Sequence, residues 1–409
     1  MVSPAIAHGQ TRHALTLDAT VRRVLESHPS IGASAEGVRA ARGARLTARS
    51  WTNPTLSYLV ERAPLPGQAP SALIERETQA SVMLPLEPVY QLWSRSARAS
   101  AELRRAEAGL VDVRRMTVLM AAEAFYRTAS SQVAVESGDE VRAWLDSLVD
   151  YSRKRVQEGA AAEVDLIRLE VEQGRVETDL AIARVELARA AADLGLLVGL
   201  ESVAADVAND SLPVPRSLPA LDALLALAKR NRPDLLAAEA NVDAARAGVR
   251  VERAAIVREV GVMAGVMSTQ GERSLMAGVT MPFPLFDQNR GEIQRASAEG
   301  RIAALDRAFV ERRVTADVTS AYVAVQSLSA QMSRITSSLL RRAEDGRRIA
   351  EGAYREGAAP LVQVLDAARA LAEARTLFYR AHFAWRQSVI ELNAAIGSTD
   401  LTTLPSEVR

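Results

Sequence analysis

Two periods alternate along the chain. Apolar residues recur at three- and four-residue intervals over long stretches, for example Val164, Ile167 and Val171 and, further on, Leu180, Leu187 and Leu194. That spacing lines one face of a helix. Other segments alternate with period two, as strands do. The first pair sets Leu56, Tyr58 and Val60 against Thr55, Ser57 and Glu61, then Ala80, Val82 and Leu84 against Gln79 and Ser81. Pro64, Pro66, Gly67 and Pro70 occupy the loop between them. The second pair sets Val260, Val262, Ala264 and Val266 against small residues, then Leu275, Ala277 and Val279 against Ser274, Gly278 and Thr280. Its loop runs from Ser268 to Arg273 and contains Gly271. Strands of about 9–11 residues with one apolar and one small or polar face fit a membrane barrel wall. On alternation alone they fit soluble hairpins packed on helices equally well.

Proline placement sets the helix boundaries. Residues 89–212 contain none, and 285–404 contain only Pro360. A proline in a helix interior costs ~3 kcal/mol, so these gaps are where long helices can run. Each gap predicts one helical hairpin. The first leaves from about Ser94, reaches Glu158, breaks at Gly159 and returns from Glu163 to Leu197. The second leaves from about Asn289, reaches Glu356, breaks at Gly357 and returns from Leu361 to Ile396. At ~1.5 Å per residue the outgoing arms span roughly 100 Å.

The two halves repeat one plan. Leu17-Asp18 and His28-Pro29 correspond to Leu221-Asp222 and Arg232-Pro233 at an offset of 204. Leu84-Pro85-Leu86 corresponds to Met281-Pro282-Phe283 at 197, and Glu158-Gly159 to Glu356-Gly357 at 198. A near-constant offset indicates duplication with small loop changes. The expected organisation is a residual signal or flexible N-terminus (1–14), a first repeat (15–212), a second repeat (213–398) and a C-terminal tail (399–409). Pro213, Pro215 and Pro219 mark the linker.

Composition narrows the classes. Hydrophobic residues make up 48% of the 409 residues but aromatics only 4%, which suits close helix packing. The 50 basic and 50 acidic residues balance, so nothing argues for nucleic-acid binding. There is no cysteine, which removes thiolate metal sites, disulfides and a cysteine nucleophile. No run approaches the ~18 apolar residues of a membrane helix, whereas a β-barrel gives a much weaker signal. Ala5-Ile6-Ala7 before His8 resembles a signal-peptide cleavage site.

The fold class is therefore mainly α with a small β part. Two hairpins supply four strands, and ~8 is about the smallest number that closes a useful barrel. Open edges are not tolerated in lipid, so a membrane placement requires strands from other chains. Three copies would supply twelve strands, and the geometry permits other counts.

The order of these elements resembles the TolC family of outer membrane efflux proteins from about Leu15 to Gly397. The likeness rests on Leu17-Asp18 with His28-Pro29, on Trp51-Thr52-Asn53-Pro54-Thr55-Leu56, and on the turns Arg155-Val156-Gln157-Glu158-Gly159 and Tyr354-Arg355-Glu356-Gly357. The run Pro282-Phe283-Pro284-Leu285-Phe286-Asp287-Gln288-Asn289-Arg290-Gly291 resembles the CzcC-like branch, the outer membrane factors of heavy-metal resistance-nodulation-division (RND) systems. The first strand exit, Leu86-Glu87-Pro88-Val89-Tyr90-Gln91-Leu92-Trp93, departs from that branch's glycine-rich stretch. The branch's N-terminal lipidated cysteine has no counterpart here.

The resemblance implies a homotrimer with a 12-stranded barrel among the outer membrane lipids and a 12-helix periplasmic tunnel. It also implies a periplasmic adaptor (a membrane fusion protein) at the tips and an inner-membrane RND transporter beyond it. Glu158, Gly159, Glu356 and Gly357 are then the adaptor-contact tips. Asp165, Gln363 and Asp366 are the candidate periplasmic gate, where a ring of carboxylates would favour cations. The bland alternatives are a helix C-cap for each glycine and an intrahelical pair with Arg369 for Asp366.

No cofactor and no catalytic constellation are expected. The four histidines (His8, His13, His28 and His382) never share the i,i+4 spacing of helix-borne metal ligands. A conduit that must release its cargo has no use for tight ligands. The leading function is a passive export duct for heavy-metal cations. The alternatives are a duct for organic compounds, a periplasmic adaptor or a soluble coiled-coil scaffold.

Overall fold

The computed structural model describes residues 13–61, 77–86, 89–201, 203–206, 218–256, 260–269, 271–334 and 339–398. The Ala5-Ile6-Ala7 site, His8, the loop prolines Pro64, Pro66 and Pro70, the linker prolines Pro213 and Pro215, and the tail from residue 399 lie outside the described residues.

The chain begins with β1 (His13–Leu15), α1 (Leu17–Ser27), α2 (Pro29–Arg49), β2 (Thr55–Glu61), β3 (Glu77–Leu86), α3 (Val89–Gln157), α4 (Glu163–Val198) and β4 (Val203–Ala205). It continues with α5 (Leu221–Asn231), α6 (Pro233–Ala254), β5 (Val260–Thr269), β6 (Glu272–Thr280), α7 (Arg290–Arg334), α8 (Leu340–Arg355) and α9 (Leu361–Ala395). The proline-free gap yields an α3 of 69 residues. It starts five residues ahead of the expected Ser94, because Tyr90-Gln91-Leu92-Trp93 contains no breaker. The second outgoing arm is described as α7 and α8, and residues 335–338 between them lie outside the described set.

The prolines act through the residue before them. His28 ends α1 at φ −69°, ψ 126°, and Arg232 ends α5 at φ −70°, ψ 117°. The Cδ of the following proline disfavours the helical region for each. Pro29 and Pro233 then open α2 and α6, where a missing N–H costs nothing.

Two compact units divide the chain: Met1–Ala33, Val111–Arg232 and Arg313–Arg409 form one, Ser34–Leu110 and Pro233–Arg312 the other. Each draws on both halves of the sequence. The first unit is helical around Val24, Phe125, Tyr126, Leu194, Val198, Phe383 and Ile390. It includes a short parallel pair that the sequence did not announce, β1 on β4, with His13 opposite Val203 and Leu15 opposite Ala205. Arginines cap its helix C-termini, where the macrodipole favours cations. Arg23 Nε donates to the Val198 carbonyl (2.8 Å), and Arg115 Nη1 to that of Ala394 (3.1 Å). Arg232 Nη1 donates to the Ala395 carbonyl (3.3 Å), while its Nη2 reaches Asp317 at 2.5 Å.

The second unit holds a four-stranded antiparallel sheet in the order β2-β3-β5-β6. β2 starts at Thr55, opposite Met83. Pro85 therefore has a partner only on its β5 side, Gly261, an allowed place for a residue without an N–H. The chain enters α7 through Asn289, which sits at φ 56°. Asparagine tolerates this left-handed region better than most residues. The buried side chain donates from Nδ2 to the Glu252 carbonyl (2.7 Å), and the Asn289 N–H donates to Asp287 Oδ1 (2.9 Å).

Candidate functional site

The sheet segregates its residues by chemistry. The register stacks Leu56, Val82, Ala264 and Ala277 in one row, with Tyr58, Ala80, Val266 and Leu275 in the next. This face is apolar across all four strands except at one end, where Thr78, Ser268 and Arg273 stand beside Val60, and it lies open: Leu56 is 77% exposed, Leu275 84% and Val279 73%. The opposite face carries Ser57, Ser81, Gly265 and Met276 in one row, where the Ser57 and Ser81 hydroxyls hydrogen-bond at 2.7 Å. A soluble hairpin pair would cover its apolar side with helices and show its polar side to water. Here the apolar side is left open, and the other side is open in part, with Ser81 buried and Leu59 48% exposed. Strands β2 and β6 each have a single strand neighbour among the described residues.

The two helical turns share one geometry. Gly159 (φ 73°) donates its N–H to the Val156 carbonyl (3.0 Å), and Ala160 donates to that of Arg155 (2.7 Å). Gly357 (φ 77°) donates to Tyr354 (3.0 Å), and Ala358 to Ala353 (2.8 Å). Both are Schellman closures, which need a left-handed residue at this point. A side chain at either glycine would meet open space, so backbone conformation alone selects glycine. Glu158, Gly159, Glu356 and Gly357 are all exposed. Behind the turns, Leu145, Val149, Leu169, Tyr354, Leu361 and Val364 form one apolar cluster that joins the ends of both hairpins. Arg155 fixes the first turn by donating to the Ala160 carbonyl (2.8 Å) and lies over the Tyr151 ring.

Of the gate candidates, Asp165 lies in the first turn of α4 with Arg168 at 4.0 Å. Gln363 and Asp366 are exposed in the first two turns of α9. Arg369 is 3.7 Å from Asp366, too far for a good hydrogen bond. Its guanidinium grips Glu172 of α4 instead, with Nη2 to Oε2 at 2.5 Å and Nε to Oε1 at 3.1 Å. Arg175 holds the same carboxylate from within α4 (2.7 Å). Hydrogen bonds from Arg369 and then Arg175 outweigh burial and bring the Glu172 carboxyl down to about 2. A groove of about 620 Å³ runs beside this triad, lined in part by Gly138, Trp144, Leu180 and Leu365.

Sequence reasoning missed Glu172. A signal existed: it sits in line with Leu169, Val176 and Leu180 on the buried face of α4, and a charge at an inward position calls for a partner. Of the apolar positions singled out on α4, Val164, Ile167 and Val171 lie on the exposed face, with Val171 69% accessible, whereas Leu180 and Leu194 are buried. Ile182, Val185 and Leu196 extend that exposed stripe. Helix α4 is apolar on two opposite sides, and one chain buries only one of them.

Among the described residues no helix is long and apolar enough to cross a membrane, and no three His, Asp or Glu side chains converge as metal ligands.

Paired helical hairpins with glycine-closed turns, set with a four-stranded sheet that is apolar outward, define the fold of an outer membrane channel protomer. The Campylobacter jejuni CmeC outer membrane channel shares it at a TM-score of 0.80, with 13% identity, covering 93% of this chain and 85% of that one. CusC, in crystal structures of its transmembrane channel formation, shares it at a TM-score of 0.75, with 19% identity and 93% and 92% coverage. Residues 224–398 match the family model described as Outer membrane efflux protein. The cobalt-zinc-cadmium resistance protein CzcC of Cupriavidus metallidurans is 28% identical over 370 residues, which cover 88% of this chain and 85% of CzcC. In sequence and fold the chain is thus similar to TolC-family outer membrane efflux proteins and, among them, to the CzcC-like proteins that its motifs indicated. Its location is accordingly the outer membrane, with a periplasmic tunnel part.

Proposed function

We propose that the chain is one protomer of a homotrimeric export duct for heavy-metal cations. Three copies of the sheet close a 12-stranded barrel in the outer membrane, and the paired hairpins of the three copies form the periplasmic tunnel. The observation that carries this reading is the sheet: four strands whose largely apolar face is exposed and whose outer strands, among the described residues, have no further strand neighbour. Burying that face in lipid is favourable, and only other copies can satisfy the edges there. The second apolar stripe on α4 supports neighbouring copies along the helices as well. The duplicated element order gives each copy two similar hairpins, hence a tunnel of nearly equivalent helices.

The energy source lies elsewhere in this scheme. The exposed turns at Glu158-Gly159 and Glu356-Gly357 meet a periplasmic adaptor, which couples the duct to an inner-membrane RND transporter. Asp165 and Asp366 face the narrow end, where three copies of Asp366 bias passage towards cations and Gln363 leaves the ring thinner. No step of this function calls for a cofactor or for catalysis. The metal cargo is argued from the CzcC likeness. Deleting the gene and scoring sensitivity to zinc, cobalt, cadmium and silver beside dyes and antibiotics tests it. Selective metal sensitivity is expected; sensitivity to organic compounds alone would reassign the cargo.

A further inference from the structure

The face of the sheet turned away from the exposed apolar side carries an unusual residue. Four of the chain's nine methionines, Met83, Met263, Met267 and Met276, lie on it, and the described strands place none on the other face. Met83 of β3 is directly opposite Met263 of β5. Met263 pairs with Gly278 and Met267 with Ser274, which leaves Met276 of β6 diagonal to both. Directly opposed residues have Cβ atoms about 4.5–5.5 Å apart, and diagonal ones about 7–8 Å, within reach of long side chains. The four thioethers thus form one contiguous zigzag over three strands. Glycines make room for it: a Cβ on Gly261 would stand 3.1 Å from Met83 Sδ, and one on Gly278 3.7 Å from Met263 Cε.

Packing gives no reason for methionine here, because this face lines water if the sheet is a barrel wall. Thioether sulfur is a neutral, polarisable, soft ligand. It favours soft cations such as copper(I) over zinc, which takes nitrogen, thiolate and carboxylate. Neutral ligands of modest strength, repeated along a wall, suit conduction, which needs sites that bind enough to admit an ion and weakly enough to release it.

We propose that Met83, Met263, Met267 and Met276 form a thioether ladder on the lumen wall that gives soft monovalent cations, silver(I) and copper(I), weak stopping places. This rests on the outer membrane channel reading and deepens it by naming a cargo class. The test titrates silver nitrate into the full-length protein in detergent, with zinc sulfate as the comparison ion. The protein is wild type, a Met83→Leu/Met263→Leu/Met267→Leu/Met276→Leu variant, or a Met116→Leu/Met120→Leu control on α3. Leucine keeps the volume and removes the sulfur. Saturable silver binding is expected in wild type and control, weakened at least about tenfold in the fourfold variant, with silver–sulfur ligation visible by X-ray absorption. Zinc binding should be the same in all three. If the fourfold variant does not assemble, Met83→Leu/Met263→Leu alone should show the loss. Absent silver binding in an assembled wild-type protein, or equal binding in wild type and assembled variant, overturns the ladder and leaves the channel reading standing. A wild-type chain that is not a membrane assembly overturns the channel reading itself.

Discussion

Glu172 shows how a single buried charge can hold two hairpins together. Its carboxylate belongs to α4, and the stronger of its two arginine partners, Arg369, to α9. Because the folded value, about 2, lies below that of a free glutamate, the link contributes its full stability above about pH 4.5 and loses it as pH falls towards about 2. Glu172→Gln should lower the thermal midpoint at pH 7 by the equivalent of roughly 1–3 kcal/mol, allowing for solvent screening on the half-exposed arginines. The gap to wild type should shrink steadily in melts taken at pH 4 and then pH 3. A pH-independent difference would mean that the glutamate acts by shape alone. Asn289 is a second pivotal residue, the cap between the sheet and α7. Asn289→Ala removes the hydrogen bond to the Glu252 carbonyl and leaves a left-handed backbone to alanine, at about 1–3 kcal/mol in all. Chemical denaturation of the purified protein measures it, and an unchanged midpoint would refute the cap.

At the scale of elements the sheet and the turns make separable predictions. Leu275→Arg places a charge on the exposed apolar face, which costs about 2–4 kcal/mol near the middle of a bilayer; outer membrane fractions should contain much less of it than of wild type. Ser274→Arg, one residue away on the other face, should assemble normally. Equal assembly of both variants would deny that the faces differ in environment. Gly159→Ala or Gly357→Ala should strain a left-handed position by about 1–2 kcal/mol. Adaptor affinity, measured by surface binding with the purified adaptor, should fall while membrane assembly is kept. These elements were largely readable in the sequence: strand alternation, proline-free gaps and glycine turns are local signals, and the strand register follows the apolar pattern. The pairing of β1 with β4 was not, since three-residue strands give no period. The inward position of Glu172 was hidden for another reason: α4 has two apolar stripes, and periodicity cannot tell which one a single chain buries.

For the whole molecule, what the sequence shows is incompleteness rather than a finished shape. A helix, α4, with two greasy sides and a sheet whose apolar face lies open are what the proposed assembly with copies of the same chain would cover. The number of copies is not written in the strand pattern, which is why three is argued from the TolC-family fold. In the proposed trimer β2 of one protomer meets β6 of the next. Absence of native cysteine makes this directly measurable: one cysteine introduced in β2 and one in β6, for example Ser57→Cys with Met276→Cys and neighbouring pairs to scan register, are cross-linked in isolated outer membranes. A covalent trimer is expected on a denaturing gel, with dimer at partial reaction. Monomer throughout the register scan, or a link closed within one chain, would contradict it.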